Sequence, residues 1–496
     1  MKKIIGIIFI FISPFQLFGQ ESKNYNVQKY PALHQLLLET GADRDIQNGS
    51  FGFYALNTKT GEVIGQFNCN QSLLPASTMK VITTATALEL FGSRHQFKTT
   101  LEYDGFIDEN CILQGDLYIK GGGDPTLGSS YFFNQHLRFK FLKEWAEAVL
   151  MAGIYGINGS IIADDQIFSG EVIPSSWAWG DIGNYYGACA TGLSVFDNVF
   201  ELEFSSGGVG ELAKINNTFP FIPYMQLSSE VKGSNAADDN AFIFGGPNSF
   251  QRIVRGEIPA GKASFLVKGA IPDPPLLAAF ALNEVLKKYG VVISAEPATV
   301  SRVTLKTGLN PKRKEIKDFN SPELGKIVYW TNMKSVNSFA EHLLNHIGLQ
   351  KFKSGNTESG TKAITDFWKI KGIDTQGMFI SDGSGLSRAN GITARQMAEV
   401  IKHMTGSSEF DAFYNSLPVA GKSGSIASIC KGTSAEGNLR AKSGYLNRVR
   451  SYTGYVHSKR GNLIAFAIIA NNYTCTATQM KLKLEKVMIE LADIEE

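Results

Sequence analysis

The chain has 496 residues with 48 Lys and Arg against 46 Asp and Glu, a formal charge of +2 that gives no electrostatic reason to invoke nucleic acid. Such a length exceeds one ordinary core, so two or three domains are expected. Five cysteines, Cys69, Cys111, Cys189, Cys430 and Cys475, are scattered without a C-x-x-C pair; this supports neither a zinc knuckle nor a dense disulfide framework, and the odd number leaves at least one thiol free or intermolecular.

In chain order, Met1-Lys2-Lys3 and the apolar residues 4–12, followed by Ser13-Pro14 and small or polar residues around Gly19, read as a secretory signal peptide over 1–20. No later segment reaches transmembrane length, so a secreted, periplasmic mature protein is expected, with an uncleaved N-terminal anchor left open. Residues 51–57 and 62–67 alternate as strands around Thr58-Lys59-Thr60-Gly61, a hairpin. The apolar run after Ser77 (Val81, Ile82, Ala85, Ala87, Leu88, Leu90) predicts a buried helix ended by Gly92. Strands are expected at 101–103, 111–119, 159–163 and 199–204, with helices at 135–151 and 274–290. The chain closes with strands at 440–445, 451–457 and 462–470 and a helix from 476 to about 492. Pro311-Lys312-Arg313-Lys314 reads as a solvated loop.

Three segments carry chemistry. Ser77 and Lys80 lie almost one helical turn apart at the mouth of the apolar helix, so hydroxyl and amine share a face. Burial disfavours an ammonium, and a neutral lysine there takes the serine's proton. The spacing recurs at Ser229/Lys232, Ser359/Lys362 and Ser428/Lys431, but in polar surroundings with no long apolar helix behind. The second segment, Ser335-Val336-Asn337, opens a helix and offers a hydroxyl and an amide to one cleft; taken alone it also reads as an N-cap. The third is Lys442-Ser443-Gly444. Lys59, Lys306, Lys353 and Lys422 also precede a hydroxyl residue and glycine, but only Lys442 enters a strand-rich segment after Ser335. There a glycine is expected to let substrate backbone approach.

In this order the three segments resemble the motifs of serine penicillin-binding proteins and β-lactamases. The 258 positions between Ser77 and Ser335 leave room for inserted domains, whereas only 107 separate Ser335 from Lys442. That spacing, with Asp116-Leu117-Tyr118-Ile119-Lys120-Gly121-Gly122-Gly123-Asp124-Pro125, Asp382-Gly383-Ser384-Gly385-Leu386-Ser387-Arg388 and Leu417-Pro418-Val419-Ala420-Gly421, resembles the class C low-molecular-mass penicillin-binding proteins, the D-alanyl-D-alanine carboxypeptidase/endopeptidase family. The resemblance implies an α/β (α+β) fold: a transpeptidase-like helix-sheet-helix body from 21–96 and 267–496, with two smaller β-rich domains inserted at 97–266. It implies Ser77 as nucleophile, Lys80 as base, Ser335 as proton relay, Asn337 as holder of the acyl-side backbone and Lys442 as stabiliser of negative charge. An oxyanion hole from the backbone N–H groups of Ser77 and Tyr445 follows from the same likeness.

Ser443, Gly444 and Asn447 would bind substrate, with Asp181, Tyr186 and Arg388 forming a pocket for the diaminopimelate end of a peptidoglycan stem peptide. β-Lactam antibiotics are implied as covalent inhibitors, and neither cofactor nor metal is implied. The sequence departs from the family at Tyr445, where Thr or Ser is frequent, which implies carboxypeptidase action weakened more than endopeptidase action. Two alternatives share parts of the pattern: a silent penicillin-binding envelope protein and a β-lactamase. A metalloenzyme is the third, suggested by His342 and His346 four apart on a helix.

Overall fold

The computed structural model describes residues 28–307 and 311–495, side chains of 304–307 excepted; the segment read as a signal peptide lies outside them. Both ends of the chain meet in one antiparallel sheet, with strand order Val63–Phe67, Ser50–Asn57, Leu463–Asn471, Val449–His457 and Arg440–Leu446. The hairpin expected at the start forms, with Gly61 at φ +74° in its turn, a backbone region open to glycine. The strand Leu463–Asn471 shows why the sheet is enclosed. Its alternate residues Ile464, Phe466, Ile468 and Ala470 enter one apolar core. Ala465, Ala467 and Ile469 enter another on the opposite face, as the two-residue period of a strand requires.

The first core is closed by the terminal helices Pro31–Gly41 and Ala477–Asp493, the latter started by a capping box between Thr476 and Gln479. The second surrounds the helix Met79–Phe91, in which every residue from Met79 to Leu88 is buried. Gly92 ends it at φ +76°, donating its N–H to Leu88 O at 2.8 Å. Around it pack Leu324–Met333, Asn337–Phe352, Thr357–Ile370 and Ala394–Met404. A sheet between helical layers is the body expected from the sequence.

A separate apolar cluster runs through the inserted part, from Leu101 to Val291. It joins the sheet ordered Ala298–Thr299, Ile161–Asp164, Leu117–Lys120, Lys98–Tyr103, Lys314–Asn320 to smaller sheets such as Lys214–Phe219, Val199–Ser205, Phe265–Ala270. The two β-rich units expected there therefore share one core. The insertion also ends later than residue 267. The helix Pro274–Lys288 buries Leu277, Ala278, Leu282 and Leu286 in the inserted core, and Lys314–Asn320 pairs with Lys98–Tyr103. The chain re-enters the body only at Ser321, whose N–H bonds Phe97 O at 2.8 Å. An apolar helix pattern says that a helix is buried, not which core it fills.

The strand expected over 111–119 is broken. Ile112–Gln114 pairs with Gly156–Ile157, whereas Leu117–Lys120 pairs with Ile161–Asp164 in a different sheet. Between them a Cβ on Gly115 would lie 2.5 Å from Asp104 O, so the backbones cross there at glycine. The helix expected from 135 starts at Lys140, because Asn134 Oδ1 accepts the N–H groups of His136 and Leu137 and holds a turn first.

Leu282→Ala should cost about 2–5 kcal/mol in denaturant unfolding, the range for truncating a buried leucine. Acylation of the folded protein by benzylpenicillin should stay near wild type. Loss of acylation with full stability would mean that this helix serves the body instead.

Candidate active site

Ser77 lies in the short 3₁₀ turn Ala76–Thr78 that runs into the helix Met79–Phe91. Two hydrogen bonds and one backbone angle define that turn. Thr78 Oγ1 donates to Pro75 O at 2.7 Å, Ser451 Oγ also donates to Pro75 O, and Ala76 adopts φ 49°, an uncommon conformation for a residue with a Cβ. The loop at Gly385 closes over it: with φ +81°, Gly385 would place a Cβ 1.9 Å from Ala76 O.

Lys80 is fully buried one turn along, and its Nζ lies 3.1 Å from Ser77 Oγ. The amine donates to Asn337 Oδ1 at 2.6 Å and to Ser384 O at 2.7 Å. Burial brings its pKa down to about 7, against the opposing charges of Asp382 and Glu341. Asn337 opens the helix Asn337–Phe352, and its Nδ2 donates to Tyr186 O at 2.7 Å, joining the insertion to the site. Ser335, at φ 59°, sits half-buried in the preceding turn. The helix is capped at Val336 without a side-chain bond, so Ser335 is not its N-cap. Among the described residues its hydroxyl makes no hydrogen bond.

Lys442, fully buried in the edge strand Arg440–Leu446, donates to Ser443 O at 2.7 Å. Burial first, then the charge of Lys80, pushes its pKa well below that of an ordinary lysine. Ser443 Oγ donates to Ser425 Oγ at 2.7 Å.

Gly444 packs against the protein's own backbone. A Cβ there would lie 2.2 Å from Ser451 Oγ, 2.5 Å from Pro75 O and 3.1 Å from Ser77 N. The glycine thus admits the turn that carries Ser77. Tyr445 is 56% exposed, its ring 5.5 Å from the Arg450 guanidinium. Asn447 stands in the exposed turn beyond the strand, without a hydrogen bond to the other site residues.

The three pocket residues come together. Tyr186 OH donates to Asp181 Oδ1 at 3.4 Å, and Arg388 Nη1 lies 3.7 Å from Asp181 Oδ2. Burial, then the Asp181 charge, pushes the Tyr186 phenol up to about 12, so it stays a donor. The pocket is tied to the body by Trp177 Nε1, which donates to Asp382 Oδ2 at 2.8 Å. Asp382, fully buried, also accepts from Gly385 N, Ser387 N and Asn390 Nδ2 at 2.8, 2.6 and 2.7 Å.

His342 and His346 are engaged elsewhere. Within bonding distance of His342 are Ser338 O at 2.7 Å and Ser194 Oγ at 2.8 Å; His346 meets Gly123 O at 3.0 Å and stacks on Phe97 at 4.0 Å. Burial lowers them to about 4 and about 3, so both are neutral packing groups. Sequence reasoning passed over Glu341, a buried carboxyl one turn beyond Asn337, and the ordering role of Asp382. The signal for Glu341 was present: an acidic residue inside the run Phe339-Ala340-Glu341-His342-Leu343-Leu344, on the same helix face as Asn337.

A serine with a lysine for its partner, on a sheet enclosed by helices and facing a large insertion, defines a class of acyl-transfer hydrolases. The fold is that of the crystal structure of penicillin binding protein 4 (dacB) from Haemophilus influenzae, with a TM-score of 0.77 at 24% identity, covering 92% of this chain and 97% of that one. The D-Ala-D-Ala carboxypeptidase 3 (S13) family matches residues 33–493, and the chain belongs to that family of serine hydrolases. Among its relatives, the D-alanyl-D-alanine carboxypeptidase of Actinomadura sp. (strain R39) is 29% identical over 450 residues, 87% of this chain and 79% of that protein. The D-alanyl-D-alanine carboxypeptidase DacB of Haemophilus influenzae is 25% identical over 447 residues, 88% of each.

Gly444→Ala should slow acylation by benzylpenicillin about 100-fold or more, since a displacement near 1 Å at a reacting centre costs that much. The unfolding midpoint should fall far less than that loss of rate requires. An unchanged rate would show that the strand does not set the position of Ser77.

Proposed function

We propose that the protein is a serine-type D-Ala-D-Ala carboxypeptidase and D,D-endopeptidase that acts on peptidoglycan stem peptides through an acyl-enzyme on Ser77. The arrangement around Lys80 Nζ is the observation that carries the reading. Two of its three neighbours, Asn337 Oδ1 and Ser384 O, only accept hydrogen bonds, and the third is the Ser77 hydroxyl. A neutral amine has two N–H donors and one lone pair, so these contacts leave the lone pair for the Ser77 proton.

In the proposed reaction Ser77 Oγ bonds to the carbonyl between two D-alanines as its proton passes to Lys80. The oxyanion is met by the backbone N–H groups of Ser77 and Tyr445. The C–N bond then breaks, with the proton delivered to the departing amine through Ser335, whose hydroxyl makes no hydrogen bond among the described residues. Water later releases the acyl group. Lys442 and Ser443 favour the terminal carboxylate of a carboxypeptidase substrate, Asn337 steadies the acyl side, and Arg388 with Asp181 and Tyr186 receives the amino acid end of a stem side chain.

The basic head and apolar stretch of residues 1–20 support export, and the chemistry of a wall substrate supports a periplasmic site of action. Among the described residues no helix is long and apolar enough to cross a membrane. A β-lactam copies the cleaved dipeptide but keeps its leaving group tethered, so it should inhibit by lasting acylation.

Incubation with benzylpenicillin followed by intact-mass measurement should show one persistent adduct, absent from Ser77→Ala. Immediate hydrolysis of the drug would instead indicate a β-lactamase, and no adduct a silent binder. Tyr445→Thr, which adds a hydroxyl beside the carboxylate position, should raise carboxypeptidase over endopeptidase turnover on muropeptides several-fold. An unchanged ratio would remove Tyr445 from the account of specificity.

A further inference from the structure

Glu341 lies 3% exposed in the helix that begins at Asn337, one turn further in. Its two carboxyl oxygens accept backbone N–H groups, Oε1 from Ser384 at 2.8 Å and Oε2 from Gly383 at 3.1 Å. The carbonyl of the same residue points at the base: Ser384 O takes a hydrogen from Lys80 Nζ at 2.7 Å, and the N–H of that next peptide unit, on Gly385, goes to Asp382 Oδ1 at 2.8 Å. Thr83 Oγ1, three residues after Lys80, donates to the adjoining Gly383 O at 2.7 Å, so the loop is held from both sides. Glu341 and Lys80 form no direct ion pair. One helix therefore reaches Lys80 twice, at Asn337 by direct contact and at Glu341 through the loop.

We propose that Glu341 is a positioning residue for acylation. It holds the backbone N–H of Ser384, the residue whose carbonyl faces Lys80, and its charge is coupled to that of the amine across that residue. The inference rests on the reading of Ser77 as nucleophile and Lys80 as base.

Atoms balance simply: when the Ser77–carbonyl bond forms, the hydroxyl proton moves to Lys80 and a positive charge appears in a fully buried position. That charge is costly unless negative groups face it. The charged or titratable groups around it are Lys442 from the edge strand, Asp382 from the loop and Glu341 from the helix. Lys442 opposes the new charge. Asp382 is shared among Trp177 Nε1, Asn390 Nδ2, Ser384 Oγ and the N–H groups of Gly385 and Ser387, whereas Glu341 is given to the N–H groups of Gly383 and Ser384. Burial, then the nearby Asp382, pushes the Glu341 carboxyl upward, while the N–H groups of Gly383 and Ser384 favour its ionised form.

The sign of the effect is fixed. Removing a group that carries negative charge makes the ammonium less favourable, so Lys80 would lose its proton at lower pH. The test is the rate of Ser77 acylation by benzylpenicillin from pH 5 to 9, taken from the time course of intact mass so that unfolded protein does not enter.

Glu341→Gln should move the lower midpoint of the profile down by about one pH unit, the size of shift produced by one nearby buried charge. Glu341→Asp should keep the midpoint near wild type while lowering the plateau, because the shortened chain draws the loop away. A Gln variant slower at every pH with an unmoved midpoint would overturn the proposal, leaving Glu341 as scaffold alone. Coupling is reciprocal, so Lys80→Met gives a second readout that does not depend on folding of a Glu341 variant. In protein labelled with ¹³C-glutamate, Glu341 should ionise at higher pH than in wild type, and an unmoved value would also overturn it. Wild-type protein that takes no label at Ser77 would instead sink the underlying reading.

Discussion

The burial of one amine organises this molecule. Lys80 has no contact with solvent, and an isolated ammonium in such a place is prohibitively costly. The protein meets the problem by surrounding Nζ with two carbonyl oxygens and a hydroxyl, a set that fits a neutral amine. Those partners come from segments far apart in sequence, at Asn337, Ser384 and Ser77, and each needs its own support. The helix behind Ser77 is buried along its length from Met79 to Leu88, the Ser384 loop is ordered by Glu341 and Asp382, and Asn337 is also bonded to the insertion through Tyr186.

Close approach of backbones is the second constraint. Gly385 faces Ala76 O, and Gly444 faces Pro75 O and Ser77 N, so the Ser77 turn is held between two segments that carry no side chain at the point of contact. The turn stores the unfavourable φ of Ala76, and the surrounding contacts with Thr78 and Ser451 maintain it. A serine held in this way needs little rearrangement when it reacts.

Much of the body was legible because its patterns are local. The apolar period after Ser77, the turn at Gly61 and the capping residues at Thr476 and Gln479 each specify their element within a few positions. What the sequence did not disclose depends on distant partners. Nothing local separates a helix at 274–288 that fills the inserted core from one that fills the body, and Gly115 looks like an ordinary strand glycine until the crossing backbone at Asp104 is seen.

The site divides in the same manner. Spacing and order single out Ser77, Lys80, Ser335, Asn337 and Lys442, and the fold sets Lys80 beside Ser77 and Asn337. Glu341 was overlooked because its partners are backbone N–H groups 42 and 43 positions away, which leave no trace in side-chain chemistry. Gly444 stands out as a glycine with a purpose, but its contacts with Pro75 and Ser77 reach to the opposite end of the chain.

The sheet built from both chain ends has a consequence for how the protein comes into being. Thr78 and Ser451, which meet at 3.2 Å, are 373 positions apart. During synthesis the helix behind Ser77 is made early, yet the strand that closes against it emerges only with the last part of the chain. Contacts of such long range form slowly, because a large loop must close before they reward the cost. The inserted part, whose buried core residues among those described run from Leu101 to Val291 with Ile316 and Phe319 packed against them, can gather around itself in the meantime. A shortened chain lacking its final strands would still carry Ser77 and Lys80 but no edge strand beside them, so competence to be acylated doubles as a signature of complete assembly.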